Sequence, residues 1–248
     1  MKSFFFLSGL PRAGNTLLAA LVNQNPNVSV SANSVLMDVF LSLEEIKSNN
    51  HYFQNFPDEK SYDNISKNVF NNYYSDYKAQ KIIDRGCWGI PDNLTQIKKI
   101  IKKPKFIILY RPILECLASF VKAEKPHDAE ITCDYYMSDK GLLKLNLLSI
   151  HNIMESNEDY LWITYDELVK SPFEVIRKIF KFIHEENFIV NVNKLKQFSV
   201  NGMGYDDSVL SAPLHEIRTD RISKSDTDIR DYLSQRIIDK YGDLDLWP

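Results

Sequence analysis

"FFFLSGLPRAGNTLLAAL", residues 4–21, is the stretch that decides the fold. An apolar run over 4–8 stops at a Gly-Leu-Pro-Arg turn, and leucines at helical spacing begin almost at once. A short apolar run bounded by turn residues reads as a buried strand. Leu17, Leu18, Leu21 and Val22 then share one face of a helix expected over 14–24. When a strand feeds a helix through a tight loop, consecutive backbone N–H groups converge, and the helix end adds about half a positive charge. Gly9 and Gly14 permit the tight path, and Thr16 offers a hydroxyl. The stretch therefore predicts an anion-binding strand–loop–helix. The plainer alternative is a β-to-α turn with Arg12 in solvent.

The spacing Gly9-x4-Gly14-Asn15-Thr16 resembles the phosphate-loop pattern G-x4-G-K-[ST], with Asn15 in place of the lysine. That lysine reaches the β- and γ-phosphates of a nucleoside triphosphate. A site for a single 5′-phosphate group has no need of it, and Arg12 is placed to reach the reacting side of such a group.

Three more apolar runs read as strands: 81–84 (KIID), 105–110 (KFIILY) and 160–164 (YLWIT). Helical patterns separate them. In 112–124 the apolar face is Ile113, Leu117, Phe120 and Val121, with Pro112 suited to the first turn. In 171–183 a stripe of Ile176, Ile179, Phe180 and Ile183 follows Pro172, with Ser171 and Glu174 spaced as a capping box. Continuous apolar strands alternating with helices imply a three-layer α/β fold around a central parallel sheet. Ligands collect at the carboxyl ends of such strands. Four strand ends are followed by the loop with Arg12, by Arg85, by Arg111 and by Tyr165.

Composition sets the frame for these residues. The chain has 248 residues, 44% hydrophobic and 25% charged, long enough for a sizeable core. Its net charge of −3 argues against a general nucleic-acid binder, so an anionic ligand must be held by a few local cations. Cys87, Cys116 and Cys133 are odd in number and far apart, which points to a reducing compartment and a cytoplasmic location. Lys2 precedes an apolar run, but Pro11-Arg12 ends it too early for a signal peptide, and no run is long enough to span a membrane. The Asn-rich stretch 48–76 reads as a helical excursion with a solvated face rather than a binding lid.

Three elements together resemble the sulfotransferases that use 3′-phosphoadenosine 5′-phosphosulfate (PAPS). Their 5′-phosphosulfate loop reads like PRSGTTLL, and here the chain has Pro11-Arg12-Ala13-Gly14-Asn15-Thr16-Leu17-Leu18. Their 3′-phosphate site is a strand ending in Arg with Ser eight residues on, matched by Arg111 and Ser119 in "FIILYRPILECLASF". A later Y-[ED]-[ED]-L element is matched from Tyr165. The three occur in family order between residues 4 and 172. The resemblance implies that Arg12, Ala13, Gly14, Asn15, Thr16 and Leu17 hold the 5′-phosphosulfate. It also implies that Arg111, Ser119 and Tyr165 hold the nucleotide and its 3′-phosphate. A C-terminal basic segment closes over that phosphate in the family, which makes Arg218 and Lys224, with Arg221, candidates. Their plainer reading is a solvated loop before a helix over 226–238, capped by Ser225 or Asp228. The resemblance further implies one domain over 1–248, with the excursion at about 35–78 and a covering segment at about 200–225.

Sulfuryl transfer needs cations at the bridging oxygen and a proton acceptor at the incoming hydroxyl. Arg12 and Arg85 are the expected cations. Arg85 matches in position a lysine of the protein-tyrosine branch, and its alternative is an ion pair with Asp84. That branch has a catalytic Glu where this chain has Asn33 in "NPNVSVSANSVL". An amide cannot accept the proton. Asp38 and His215 remain, and "LHEIR" around His215 resembles an LH-x-[IV]-R element of a bacterial group. The alternative for His215 is a core or helix-end histidine. The other histidines lack metal-ligand spacing, so no catalytic metal is expected. The less favoured reading of 48–76 is a lid that, with the loop 201–213, covers an acceptor hydroxyl that the sequence does not name. A kinase using ATP–Mg²⁺ and a non-catalytic nucleotide-binding member of the fold are the competing readings.

Overall fold

Successive residues of a strand face opposite sides of its sheet, so a run with every residue buried must be covered on both faces. Phe106–Tyr110 is such a run, as is the stretch from Ile82 to Asp84. The computed structural model describes residues 2–210, 212–225 and 227–246. In chain order the elements are β1 (Ser3–Gly9), α1 (Asn15–Val22), β2 (Val28–Asn33), α2 (Leu36–Asn49), α3 (His51–Asn55), α4 (Glu59–Tyr73) and β3 (Lys81–Arg85). They continue with α5 (Pro91–Ile100), β4 (Phe106–Tyr110), α6 (Ile113–Glu124), α7 (Ala129–Tyr136), α8 (Leu142–Glu155), β5 (Tyr160–Thr164), α9 (Tyr165–Lys170), α10 (Pro172–Phe182) and α11 (Gln235–Tyr241). The five strands lie in the order β2-β3-β1-β4-β5, all parallel. The expected α/β fold around a parallel sheet is what forms.

Register brings the strand ends to one rim. Leu7 pairs with Arg85, Gly9 with Leu109, Asn33 with Arg85 and Tyr110 with Thr164. Because β1 is central, the chain must leave β3 on one side of it and enter β4 on the other. The loop after Gly9 therefore opens where connections diverge, the place at which open α/β sheets leave a crevice.

Several local expectations are corrected. Strand β2 was not anticipated, because "VSVSAN" alternates serine with valine and lacks an apolar run. Its serines are buried and work as ladder partners: the Ser31 hydroxyl accepts the Arg85 backbone N–H at 3.1 Å. The capping box lies one helix earlier than expected, at Thr164 and Glu167 on α9. Ser171 makes no side-chain cap, and Glu174 instead meets Arg177 at 2.5 Å. Pro112 is the N-cap of α6 rather than its first helical residue. The helix expected over 226–238 is broken. Asp228 caps only a 3₁₀ turn over Ile229–Asp231, and α11 starts later under the Ser234 cap. Asp226, where that helix was to begin, and Ser211 of the 201–213 loop lie outside the described residues.

Residues 36–73 form three helices between β2 and β3, and an aromatic cluster fastens them to the sheet. Phe40 and Phe70 meet at 5.6 Å between centroids, Phe70 meets Trp88 at 5.6 Å, and Trp88 meets Phe6 of β1 at 5.3 Å. Inside this apolar layer lies one carboxylate. Asp84 is fully buried and accepts from Trp88 Nε1 at 2.8 Å, from Ser34 Oγ at 2.9 Å and from the Tyr74 hydroxyl. The expected alternative of an Asp84–Arg85 pair is not formed, because adjacent strand residues point to opposite faces.

Burial pushes the Asp84 carboxyl from 3.8 up to about 6, against the three hydrogen bonds that favour its charged form. The folded value lies above the unfolded one. Its stabilising share is therefore complete below the unfolded value and lost as pH rises through about 6. Thermal melts should show wild type losing up to about 3 kcal/mol relative to Asp84→Asn between about pH 4 and pH 7. Parallel curves for the two proteins would contradict this.

Candidate active site at the strand ends

The loop between β1 and α1 is closed from within. The Asn15 side chain is buried and donates from Nδ2 to the Leu10 carbonyl at 2.7 Å. A Cβ on Gly9 would fall 1.8 Å from Asn15 Oδ1, so glycine makes the room that this fold-back needs. Position 15 thus binds its own loop instead of extending toward a ligand. Gly14 has φ of +93°, and its missing Cβ would meet the Tyr165 ring at 3.1 Å. Arg12 also takes a left-handed conformation, with φ of 65°. Non-glycine residues adopt that region seldom, and often at functional sites. Helix α1 has no side-chain cap, which leaves the N–H groups of its first turn directed at the rim.

The expected site residues then come together in part. Arg12 Nε donates to Ser119 Oγ at 3.2 Å, and its guanidinium also donates to the Leu214 carbonyl. Arg111 is buried. It donates to the Arg12 carbonyl at 3.1 Å and to Glu115 Oε2 at 2.9 Å, and it stacks on the Tyr165 ring at 4.3 Å. Ser119 lies on α6, two turns past its start, which brings its hydroxyl level with the loop. Lys224 reaches Asp166 at 2.9 Å and stands 3.9 Å from Glu115, so it and Arg111 flank one carboxylate. Arg218 is exposed and donates to Ser223 at 2.7 Å; among the described hydrogen bonds none joins it to Arg111. Thr16 is buried and Ala13 fully so, while Leu17 is half-buried.

A second group surrounds the end of β3. Arg85 donates to the Tyr205 hydroxyl at 2.7 Å. The Tyr205 ring lies flat against the His215 imidazole, 3.7 Å between centroids and 7° from parallel. His215 Nδ1 is 2.6 Å from Asp207 Oδ1. Asp38 is exposed in the first turn of α2, and no described hydrogen bond links it to these side chains. Glu115, Tyr205 and Asp207 were not foreseen. Asp207 precedes His215 by eight residues in an irregular loop, and no periodicity relates the two.

Electrostatically the rim is cationic within an acidic chain. Burial, then the neighbouring Arg111 charge, lowers the Arg12 guanidinium from its ordinary value, and burial does the same for Arg85. Neither forms an ion pair with a carboxylate among the described residues, so an incoming anion would relieve both. The Cys87 thiol next to Arg85 is pushed up to about 11 by burial and stays protonated at neutral pH. Asp84, the nearest strand-end carboxylate that a kinase could turn to Mg²⁺, is committed to Tyr74, Trp88 and Ser34 beneath the rim. No group of three or more His, Cys, Asp or Glu side chains placed to hold a metal occurs among the described residues.

The fold has known counterparts. The sulfotransferase domain from the curacin biosynthetic pathway aligns over 100% of this chain and 93% of its own, with a TM-score of 0.60 at 15% identity. Mouse sulfotransferase SULT7A1, complexed with PAP, aligns over 98% of this chain and 83% of its own, with a TM-score of 0.58 at 12% identity. The sulfotransferase from Alicyclobacillus acidocaldarius covers 77% of this chain and 83% of its own, with a TM-score of 0.53 at 13% identity. No curated protein sequence matches the chain. The model of the sulfotransferase family matches residues 5–188, a span from β1 past α10 that contains Arg12, Arg85, Arg111, Ser119 and Tyr165. On that match the chain belongs to the sulfotransferase family.

Proposed function

We propose that this protein transfers a sulfuryl group from PAPS to the hydroxyl group of an acceptor. Sulfuryl transfer as a reaction class comes with the family; the donor and the roles below are our reading. The observation that carries it is the cluster of Arg12, Arg111 and Ser119 around an uncapped helix N-terminus, with no ion pair from Arg12 or Arg85 to a carboxylate among the described residues. That donor set fits a nucleotide with two separate anionic groups. The capless first turn of α1 and Arg12 suit the 5′-phosphosulfate. Arg111, Ser119 and Lys224 suit the 3′-phosphate, for which the Glu115 carboxylate now stands between Arg111 and Lys224. A mammalian member of the fold was solved with PAP, which supports the same nucleotide here. Asn15, folded onto Leu10, gives no contact to a γ-phosphate, and a phosphosulfate has none to offer.

PAPS supplies an activated sulfuryl group on its 5′-phosphate. His215 takes the acceptor hydroxyl proton on Nε2 as the hydroxyl oxygen bonds to sulfur. The bond from sulfur to the bridging oxygen breaks, and its electron pair stays on the 5′-phosphate of PAP. Arg12 and Arg85 stabilise that charge as it grows. Arginine at position 85 holds its proton tightly, so it acts by charge rather than as an acid. The acceptor is a hydroxyl compound. The odd number and wide spacing of the three cysteines favour a reducing compartment such as the cytoplasm. No helix among the described residues is long and apolar enough to cross a membrane.

The deciding experiment is a thermal-shift comparison of PAP alone with ATP plus Mg²⁺. PAP at about 100 times its dissociation constant should add roughly 2.7 kcal/mol without metal, or on the order of 5–10 °C for a chain of this size. A shift with ATP–Mg²⁺ and none with PAP would overturn the assignment.

Arg111→Ala should weaken PAP at least about tenfold by calorimetry, as expected for one lost charge-assisted hydrogen bond. It should weaken adenosine 5′-phosphate, which lacks the 3′ group, by a distinctly smaller factor, reflecting only the lost support of the Arg12 loop. Equal losses for both nucleotides would remove Arg111 from the 3′-phosphate site.

A further inference from the structure

His215 is restrained on its edge and on its face. The Asp207 carboxylate grips it twice, with Oδ1 at 2.6 Å from Nδ1 and Oδ2 accepting the His215 backbone N–H at 2.8 Å. The Tyr205 ring covers one face of the imidazole, 7° from parallel. Tyr205 is itself tethered, because its hydroxyl accepts from Arg85 at 2.7 Å and its ring packs on Phe198 at 5.0 Å. The residue before the histidine is tethered too, since Arg12 donates to the Leu214 carbonyl. Asp207 is delivered by a fixed turn. It opens a 3₁₀ turn over Asp207–Val209, which Asp206 caps through the Ser208 backbone N–H at 3.1 Å.

These contacts decide which ring nitrogen carries hydrogen. Burial alone would raise the Asp207 carboxyl, but the His215 ring and backbone bonds outweigh it and hold the group below its ordinary value. It is therefore a carboxylate, which can only accept. Nδ1 must then be the donor, and in the neutral ring the lone pair falls to Nε2. No hydrogen bond to Nε2 is found among the described residues. A histidine serving only to pin its loop would need no such defined free nitrogen.

We propose that Asp207 and Tyr205 are positioning residues for His215: Asp207 fixes the tautomer and edge, and Tyr205 fixes the plane and links it to Arg85. The proposal rests on the reading of His215 as the proton acceptor. Chemically it requires the acceptor hydroxyl proton to move to Nε2 while the hydrogen on Nδ1 stays on Nδ1, shared with Asp207. The carboxylate then stabilises the imidazolium that forms and is not itself protonated, the division of roles known from Ser-His-Asp triads. Charged and titratable groups near the ring are Asp207 at its edge, Tyr205 with Arg85 behind its face, and Arg12 on the Leu214 side.

The test is long-range ¹H–¹⁵N correlation on the ¹⁵N-labelled full chain, held above the imidazole titration range, with the His215 ring assigned through His215→Gln. Wild type should show hydrogen on Nδ1 and a bare Nε2. In Asp207→Ala, and in the volume-conserving Asp207→Asn, hydrogen should move mainly to Nε2, while PAP affinity by calorimetry stays that of wild type. A wild-type ring with hydrogen on Nε2, or an Nδ1–H form that persists in both variants, would overturn the proposal. PAP binding together with either of those results would overturn it alone. A wild type that does not bind PAP, with the predicted tautomer intact, would instead overturn the donor proposed above and leave the positioning of His215 standing.

Discussion

The hydrogen bond from Arg111 to the Arg12 carbonyl joins two parts of the chain that are 99 residues apart, and the candidate site is organised around it. Arg111 directly follows β4 and Arg12 sits in the loop after β1, so the bond ties adjacent strand ends across the sheet's central pair. It is reinforced from above by Tyr165, which stacks on the Arg111 guanidinium and fills the space that Gly14 leaves open. Three strand ends thus lock one loop. A guanidinium suits this task because its fixed plane presents several donors in one geometry while its face stacks on an aromatic ring. The loop can then hold a left-handed arginine two residues before a left-handed glycine, a conformation that local sequence would not maintain alone.

The same arrangement concentrates positive charge where the chain has little to spare. Net charge is −3, yet the rim gathers Arg12, Arg85 and Arg111, and among the described residues only Glu115 pairs with one of them. Like-charge proximity and burial cost stability unless an anion arrives, and that cost is a reason to expect strong binding of an anionic nucleotide. Glu115 keeps the arrangement tolerable by occupying the place between Arg111 and Lys224. Beneath the rim, Asp84 serves a different end. Its three donors come from the loop after β2, from the residue after α4 and from the segment after β3, so one buried carboxylate orients the excursion against the sheet.

Beyond the nucleotide elements lies the 205–215 segment, which brings the proposed base to the proposed cation. Arg85 and Tyr205 are 120 residues apart, and Arg12 and Leu214 are 202 apart. Among its described residues the segment has no regular secondary structure beyond one 3₁₀ turn. Its shape is held by side chains: the Asp207–His215 pair, the Tyr205 stack and the two arginines. Movement of either arginine onto a ligand would therefore be felt at His215.

By itself the sequence determined what depends on neighbours along the chain. The apolar run and glycine spacing of 4–21 specify a strand, a tight loop and a helix, because backbone sterics and side-chain periodicity act within a few residues. Arg111 and Ser119 were legible for the same reason, being a strand end and a position two helical turns on. Tertiary structure alone decided the rest. Strand β2 was hidden because its serines gain their burial from β3, not from their own polarity. Position 15 reads as a missing lysine, and only the folded loop shows its amide bonded to Leu10. Asp207, Tyr205 and His215 form a group only where an irregular segment crosses the rim, and Lys224 separates from Arg218 only where Asp166 stands opposite. Contacts between distant residues carry no period, so they become visible only when the sheet has fixed which strand ends are neighbours.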